Sequence, residues 1–439
     1  MSSADLTVLR AVEEYVIGTT PTSVKAVGFL TFSAQPADAD TVTINAKVYT
    51  FQTTLTNVDG NIKIGAAVKD TIANLFNAIN LSGGVPGTDY AAATTIHPTV
   101  DAVDRSTTVL MVRAKTGGTG GNALTTTESG ANTAWGGATL SGGAAGTPLQ
   151  QIRYTGESLN YNIENTQSEE LRPDRVETDL VQTSASGGGD INFELSFGTF
   201  KEFLASIFCS HWLPATGGNE ELRNGIYLRP WTVQKHFQDM SPQQFHNYRG
   251  CAFEGMSLQM EIGSIVKGAF TLTSFGLDPA LGVVTAQLAG ATFPAVSTTT
   301  PMNAVTNIQN FAIDGVPYTG CISKLSLQFK NNVRAIQCIG SLAARDMKLG
   351  TLEVTGEMEF YFNEGSNYTK FVQGTEFDFS FDLTDDAGNT YTVTLPRCKF
   401  ETGEVVAGGR NSDVMFASQW RGLYDGTTDR VVHLLANPA

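Results

Sequence analysis

The chain has 439 residues, 41% of them hydrophobic and only 16% charged, which leaves room for several domains and a sizeable core. A net charge of −15 argues against a protein that grips phosphate backbones. No run reaches the roughly 18 apolar residues of a spanning helix, which excludes a helical membrane protein.

Glycine, threonine and serine are abundant, the mix of a β-rich chain with many turns. Residues 1–23 form a short arm containing "LRAVEEYVIGTTPTS". Its opening, "MSSADLTVLRAVEEY", carries acids where a secretion signal would be positive, so the chain is expected to be soluble and made in a cytoplasm. The five cysteines, at 209, 251, 321, 338 and 398, form no C-x-x-C pair and are expected to be reduced and mostly buried.

From Val24 to about Gly146 the texture changes to threonine, alanine and glycine. "DTVTINAKVYTFQTT" alternates, with Val42, Ile44, Ala46 and Val48 on one side. "AAVKDTIANLFNAIN" carries a helical stripe of Val68, Ile72, Leu75, Phe76 and Ile79. A small α+β domain over 24–147 is expected. The paired glycines 117–118 and 120–121 lack the strand–loop–helix frame and the Lys-Ser/Thr of a phosphate loop, so they read as turn glycines.

After Pro148 the chain reverts to the arm's texture. The segment 158–182 is too polar to fold alone and reads as a long hairpin arm. In "DINFELSF", Ile191, Phe193 and Leu195 face one way and Asp190, Asn192 and Glu194 the other. "GTFKEFLASIF" is a short helix with Thr199 as its expected N-cap. "CAFEGMSLQMEIG" and "KGAFTLTSFG" are strands. A Pro/Thr-rich linker spans 286–304.

The second half repeats the first. Leu159–Ile163 matches Leu325–Phe329, "NFELSF" matches "EMEFYF" with Glu194 on Glu359, and "CAFEG" (251–255) matches "CKFETG" (398–403) with Cys251 on Cys398. The last strands, "GAFTLTSFGL" and "DVMFASQWRGL", make a fourth match, and four in one order imply a duplicated β-unit, the first over 148–285 and the second over 305–439.

Catalytic chemistry finds little support. The five histidines have no ligand or base spacing, and His236 and His246 read as surface residues of a polar loop. Ser264 and Lys267 form an S-x-x-K, but in a strand i and i+3 point to opposite faces. Glu357 with Glu359, or Asp378 with Asp382, mimic a glycosidase pair, yet i and i+2 carboxylates on a strand simply line one face. No enzyme activity, metal or cofactor is expected. A row of acids remains: Glu376, Asp378 and Asp382 in one strand, and Glu353, Glu357 and Glu359 in the preceding one.

The segments "VEEYVIGTTPTS", "TPLQQIRYTGESLNYNIENTQSEELRPDR" and "QTSASGGGDINFELSFGTFKEFL" resemble the tail tube proteins of long, non-contractile-tailed bacteriophages. Residues 24–147 interrupt that pattern and resemble a small domain found in phage head and tail proteins. The resemblance implies a mainly β fold of two tandem tail-tube-like sandwich or barrel units with short flanking helices, plus the inserted domain. It implies a virion protein that stacks as rings into a tail tube for DNA ejection. Its partners would be other copies of itself, the tape measure protein during assembly, and the tail terminator and tail tip proteins. Double-stranded DNA would pass without specific binding, and no membrane is involved.

Single-unit tail tube proteins form sixfold rings, so the resemblance together with a duplicated unit implies a trimeric ring with pseudo-sixfold symmetry. Roughly 24 strands would give a backbone diameter of about 48 Å, narrowed by side chains to about 40 Å. An acidic lumen would keep DNA from adhering, and Asp190, Glu194, Glu357, Glu359, Asp378 and Asp382 are the candidates to line it. Glu169, Glu170, Arg172, Asp174 and Arg175 are the candidates for inter-ring contacts by the hairpin arm. The inserted domain is expected on the tube exterior. Two other readings stand: a tube protein of a related contractile injection or secretion machine, and a host-surface-binding β-protein.

Overall fold

A computed structural model describes residues 6–174, 176–278 and 282–439. It is mainly β. In chain order the principal elements begin with β1 (Thr7–Glu13), β2 (Ser23–Phe32), β3 (Thr41–Ile44), β4 (Lys47–Gln52), β5 (Asn61–Lys63), α1 (Val68–Asn80), β6 (Val100–Arg105), β7 (Val109–Gly117), β8 (Thr126–Glu128) and β9 (Thr133–Trp135). There follow β10 (Asn160–Gln167), β11 (Leu180–Glu194), α2 (Lys201–Ile207), β12 (Trp231–Phe237), β13 (Gln244–Glu261) and β14 (Lys267–Ser274). The last are β15 (Ile308–Ile313), β16 (Ile322–Lys330), β17 (Glu353–Tyr361), α3 (Ser366–Gln373), β18 (Phe377–Thr384), β19 (Thr390–Ala407), β20 (Val414–Gly422) and β21 (His433–Asn437).

β2 to β9 enclose a core of their own, from Ala26 to Leu140. β6, β7, β2 and β9 form one sheet and β5, β4, β3 and β8 another. Helix α1 buries Ile72, Leu75, Ala78 and Ile79, and Val68 and Phe76 flank that core. The alternation expected from Val42 through Val48 breaks at a two-residue hairpin. Asn45 adopts φ +52° and Ile44 pairs with Lys47. Past the turn the buried side chains become Tyr49 and Phe51, and Val48 is exposed.

The remaining strands share one continuous core from Leu9 to Ala436. Their pairing repeats. In the first set the hairpin β10–β11 continues into β14, then β13, then β12, then β1. In the second set β16–β17 continues into β20, β19, β18 and β15. Trp231 lies opposite Cys251, as Phe377 lies opposite Cys398. The register slips by one residue after Phe253 and again after Phe400, which leaves Glu254 and Glu401 as bulge residues.

These ladders revise the residue-level match. Gly189 faces Leu272 and Gly356 faces Trp420, so Ile191 corresponds to Met358 and Phe193 to Phe360. Gly188 faces Asn160 and Thr355 faces Gln328, which puts Leu159 with Leu327 rather than Leu325. Glu194 falls on Tyr361 rather than Glu359. A slip of two keeps every side chain on its face, so alternation could not detect it.

Local expectations are revised at two further places, Thr199 and the histidines, while the cysteines are mostly buried as expected. Thr199 does not cap α2; Phe200 is the N-cap, and the Thr199 hydroxyl bonds Ser297 and Thr299 instead. His236 and His246 lie in strands β12 and β13, and His236 is buried with its ring stacked on Phe245. Cys209, Cys251 and Cys398 are buried, while Cys321 and Cys338 are exposed.

Buried charge fixes the peripheral pieces. β1 is zipped to β12 along its length. Glu13 takes a two-pronged hydrogen bond from Arg229, which is 2% exposed and also reaches Glu202 at 2.7 Å. The β2–β9 segment is fastened by Asp104, whose Oδ2 accepts from Ser210 Oγ (2.8 Å), His211 N (2.6 Å) and His211 Nδ1 (3.3 Å). Burial pushes the Asp104 carboxyl up, but the His211 and Ser210 bonds outweigh it and hold the carboxyl below its ordinary range.

Asp104→Ala is expected to cost about 2–3 kcal/mol, since hydrogen bonds to a buried charge are lost. Because the folded value is depressed, this contribution is full above about pH 4 and fades as the pH falls through the lowered value. Thermal melts of both proteins from pH 7 to pH 3 would show the gap between them closing in acid.

Candidate functional site: the polar face and free edges of one sheet

β13 and β19 are each 18 residues long. Each serves two layers. The N-terminal half of β19 pairs with β18 and β21, and the C-terminal half with β20. The bulge at Glu401 marks the passage between them, as Glu254 does in β13. Phe379 of β18 meets Trp420 of β20 edge-on at 4.9 Å across the core, so the layers face each other.

The two sets join where β16 pairs antiparallel with the C-terminal half of β13, from Gly255 opposite Lys330 to Glu261 opposite Lys324. One layer is therefore a continuous antiparallel sheet in the order β10, β11, β14, β13, β16, β17, β20, β19. Its inner face carries Ile191, Phe193, Phe270, Leu327, Met358 and Trp420, all buried. Strand geometry sends the alternate residues to the other face.

That other face is polar and acidic. Asp190, Glu194, Glu261, Glu353, Glu357, Glu359 and Glu404 outnumber the cations Lys267, Lys324, Lys330, Lys399 and Arg421 on this face. Lys324 bridges Glu357 at 3.1 Å and lies 4.0 Å from Glu261. Its ammonium is held above the ordinary lysine range by Glu357. Arg421 pairs with Glu401 and approaches Glu353 at 3.9 Å. Asp190 accepts from Thr271 Oγ1 at 2.8 Å.

The structure brings Asp190, Glu194, Glu357 and Glu359 onto this one face. Asp378 and Asp382 do not join them. They alternate with Phe379 and Phe381 on β18, in the opposite layer, and so point away from the other four. Asp382 is engaged there by Asn310 Nδ2 and Thr392 Oγ1. The alternation of β18 was read correctly, but the layer it occupies was not visible in it.

Glu169, Glu170, Arg172 and Asp174 lie exposed at the tip of the β10–β11 hairpin, and Arg175 lies outside the described residues. Arg172 grips Asp174 with two hydrogen bonds and holds its carboxyl below the usual range. The same tip exposes Leu171 at 98% and Val176 at 58%. The S-x-x-K pattern resolves into a turn, where the Ser264 hydroxyl bonds the Glu261 carbonyl at 2.7 Å. Among the described residues no cluster of metal ligands occurs, and no helix is long and apolar enough to cross a membrane.

Sequence reasoning missed the sheet's two free edges. Among the described residues, β10 pairs only with β11, and the C-terminal half of β19 only with β20. The usable signal was the repeat itself: β16 and β13 are joined, whereas their counterparts β10 and β19 lie at opposite ends of the sheet.

The sheet's polar face depends on tight backbone approach beneath it. At Gly356 a Cβ would collide with the Ser326 carbonyl and the Trp420 indole. Gly356→Val is expected to destabilise the chain by about 3 kcal/mol or more. Gly365→Ala, where a Cβ meets nothing within 4 Å, should stay within about 1 kcal/mol of wild type. Urea titration of both variants would check the contrast.

A family model described as phage tail tube protein matches residues 104–422, a span that takes in every strand of the eight-stranded sheet. No curated protein matches the chain.

Proposed function

The chain belongs to the phage tail tube protein family and is a structural component of the virion tail, and we propose that it carries two tandem copies of one β-unit and closes as a trimeric ring. The observation that carries this reading is the continuous eight-stranded sheet with a free edge at each end. A free edge is a template for another strand, and a closed ring leaves none exposed.

Three copies of eight strands give a barrel of about 24, with a backbone diameter of about 48 Å at a strand spacing of ~4.8 Å and a tilt of ~40°. A bore of about 40 Å admits a hydrated duplex. Stacked rings would then form the tube through which DNA is ejected. The polar face turned to the bore accounts for its excess of carboxylates. Cations there would collect phosphates and slow transit, whereas carboxylates repel the duplex over a screening length of about 8 Å. Asp190, Glu194, Glu357 and Glu359 belong to this wall, and Asp378 and Asp382 to the outer layer.

The hairpin tip with Glu169, Glu170, Arg172 and Asp174 reaches the next ring, where Leu171 and Val176 would find cover. The domain over 24–147 sits outside the tube and decorates or stiffens it. Tape measure, terminator and tip proteins would meet the tube at its core and ends.

Electron microscopy of concentrated protein tests this: threefold rings or tubes with a central bore are expected, and solid particles would refute it. Substituting Glu357→Lys together with Glu359→Lys should turn weak DNA adhesion into measurable, salt-sensitive binding to assembled tubes. The affinity should fall steeply as salt rises. If binding is unchanged, these residues do not face the bore.

A further inference from the structure

The joint inside the chain is a pattern for the joint between chains. β16 and β10 hold corresponding places, and so do the C-terminal halves of β13 and β19. Within the chain, β16 lies on β13 with Gly255 opposite Lys330 and Ser257 opposite Gln328. Thr402 corresponds to Gly255, each being the first paired residue after its bulge. Asn160 corresponds to Gln328, and hence Asn162 to Lys330.

Resting on the ring reading above, we infer that β10 of one copy adds antiparallel to the C-terminal half of β19 of a second copy, with Asn162 opposite Thr402, Tyr161 opposite Gly403 and Asn160 opposite Glu404. The partner is another copy of this chain, recognised by strand addition.

The faces agree. Asn160, Asn162, Thr402 and Glu404 are exposed, whereas Tyr161, Gly403 and Val405 are half-buried and Leu159 is buried. A slip of one residue would put Tyr161 among the carboxylates.

A second observation concerns Leu159. Its counterpart Leu327 sits opposite Leu258 in the internal joint. The Ile262 N to Ser323 O bond fixes the phase of that ladder, and alternation makes Leu258 and Leu327 a hydrogen-bonded pair. At Leu159 no such strand lies among the described residues, but the same two backbone groups are occupied. Glu157 Oε2 accepts from Leu159 N at 2.8 Å, and Lys235 Nζ donates to Leu159 O at 2.6 Å. Glu157 and Lys235 are themselves paired at 2.8 Å, and Lys235 is 9% exposed. One buried ion pair thus supplies the acceptor and donor that a neighbouring strand supplies in the other unit. In the transposed register that neighbour is Val405. The pair holds its place and shields this edge from wrong partners, a use of inward-pointing charge that edge strands commonly show.

Disulfide trapping tests the register. The background is the full-length protein with Cys321→Ser and Cys338→Ser, which removes the exposed thiols and leaves the buried ones. To it are added Asn162→Cys and Thr402→Cys. Their counterparts Lys330 and Gly255 form a non-hydrogen-bonded pair, whose Cα atoms lie about 4.5 Å apart, within disulfide range. On mild oxidation of concentrated protein, reducible dimers and trimers are expected, with the trimer the largest species. The control, Asn160→Cys with Thr402→Cys, lies two residues off and should remain monomeric on the gel. Cross-linking of the control instead of the test pair overturns the register. Rings in the microscope with neither pair cross-linked overturn this edge as the joint and leave the ring reading standing. No rings and no cross-links overturn both.

Discussion

A β-strand offers hydrogen bonds along two edges, and a strand long enough can give its halves to different sheets. β13 and β19 do this, each bending at a bulge before a Gly or Thr. The rest of the architecture depends on that division. One half of each strand closes the sandwich, and the other half carries the eight-stranded sheet across from the first set of strands to the second. Without the bulge at Glu254, Phe253 and Met256 could not both face the core from the two sides of the bend.

The electrostatics follow from this layering. A sheet with one buried and one solvated face sorts its residues by parity, so Glu357 and Glu359 are displayed because Met358 and Phe360 are buried. Two of the cations on that face are tied to carboxylates, Lys324 to Glu357 and Arg421 to Glu401. Such exposed pairs contribute little stability, about 0–1 kcal/mol each. Their larger effect is to mask positive charge on a surface that is otherwise negative. Buried pairs act differently. Arg229 between Glu13 and Glu202, and Asp104 beneath His211, have lost their water and would be costly to separate. They fix β1 and the β2–β9 segment to the first set of strands, and they leave the two sheet edges as its open positions.

Much of this was legible in the chain. The alternation at 191–195 and 377–383, the helical stripe of α1, and the paired Cys-x-Phe-Glu motifs were read from residue order and hold in the fold. At the first two matches the hydrophobic pattern fits a register two residues off equally well, because Leu325 and Leu327 both face the core. The hairpin at Asn45 leaves no mark in the alternation, because Ala46 continues the apolar rhythm while the backbone reverses. The polar neighbours of His236 fit a loop, yet β1 covers it from the other side.

What the sequence alone determined is parity: which side chains of each strand are apolar and which are charged, since that depends only on neighbours two residues apart. What tertiary structure alone decided is which strands share a layer. Asp382 and Glu359 obey the same alternation, but they end on opposite surfaces because the core lies between β18 and β17. Layer membership is set by contacts between residues far apart in the chain, such as Phe379 with Trp420, and no local pattern encodes them.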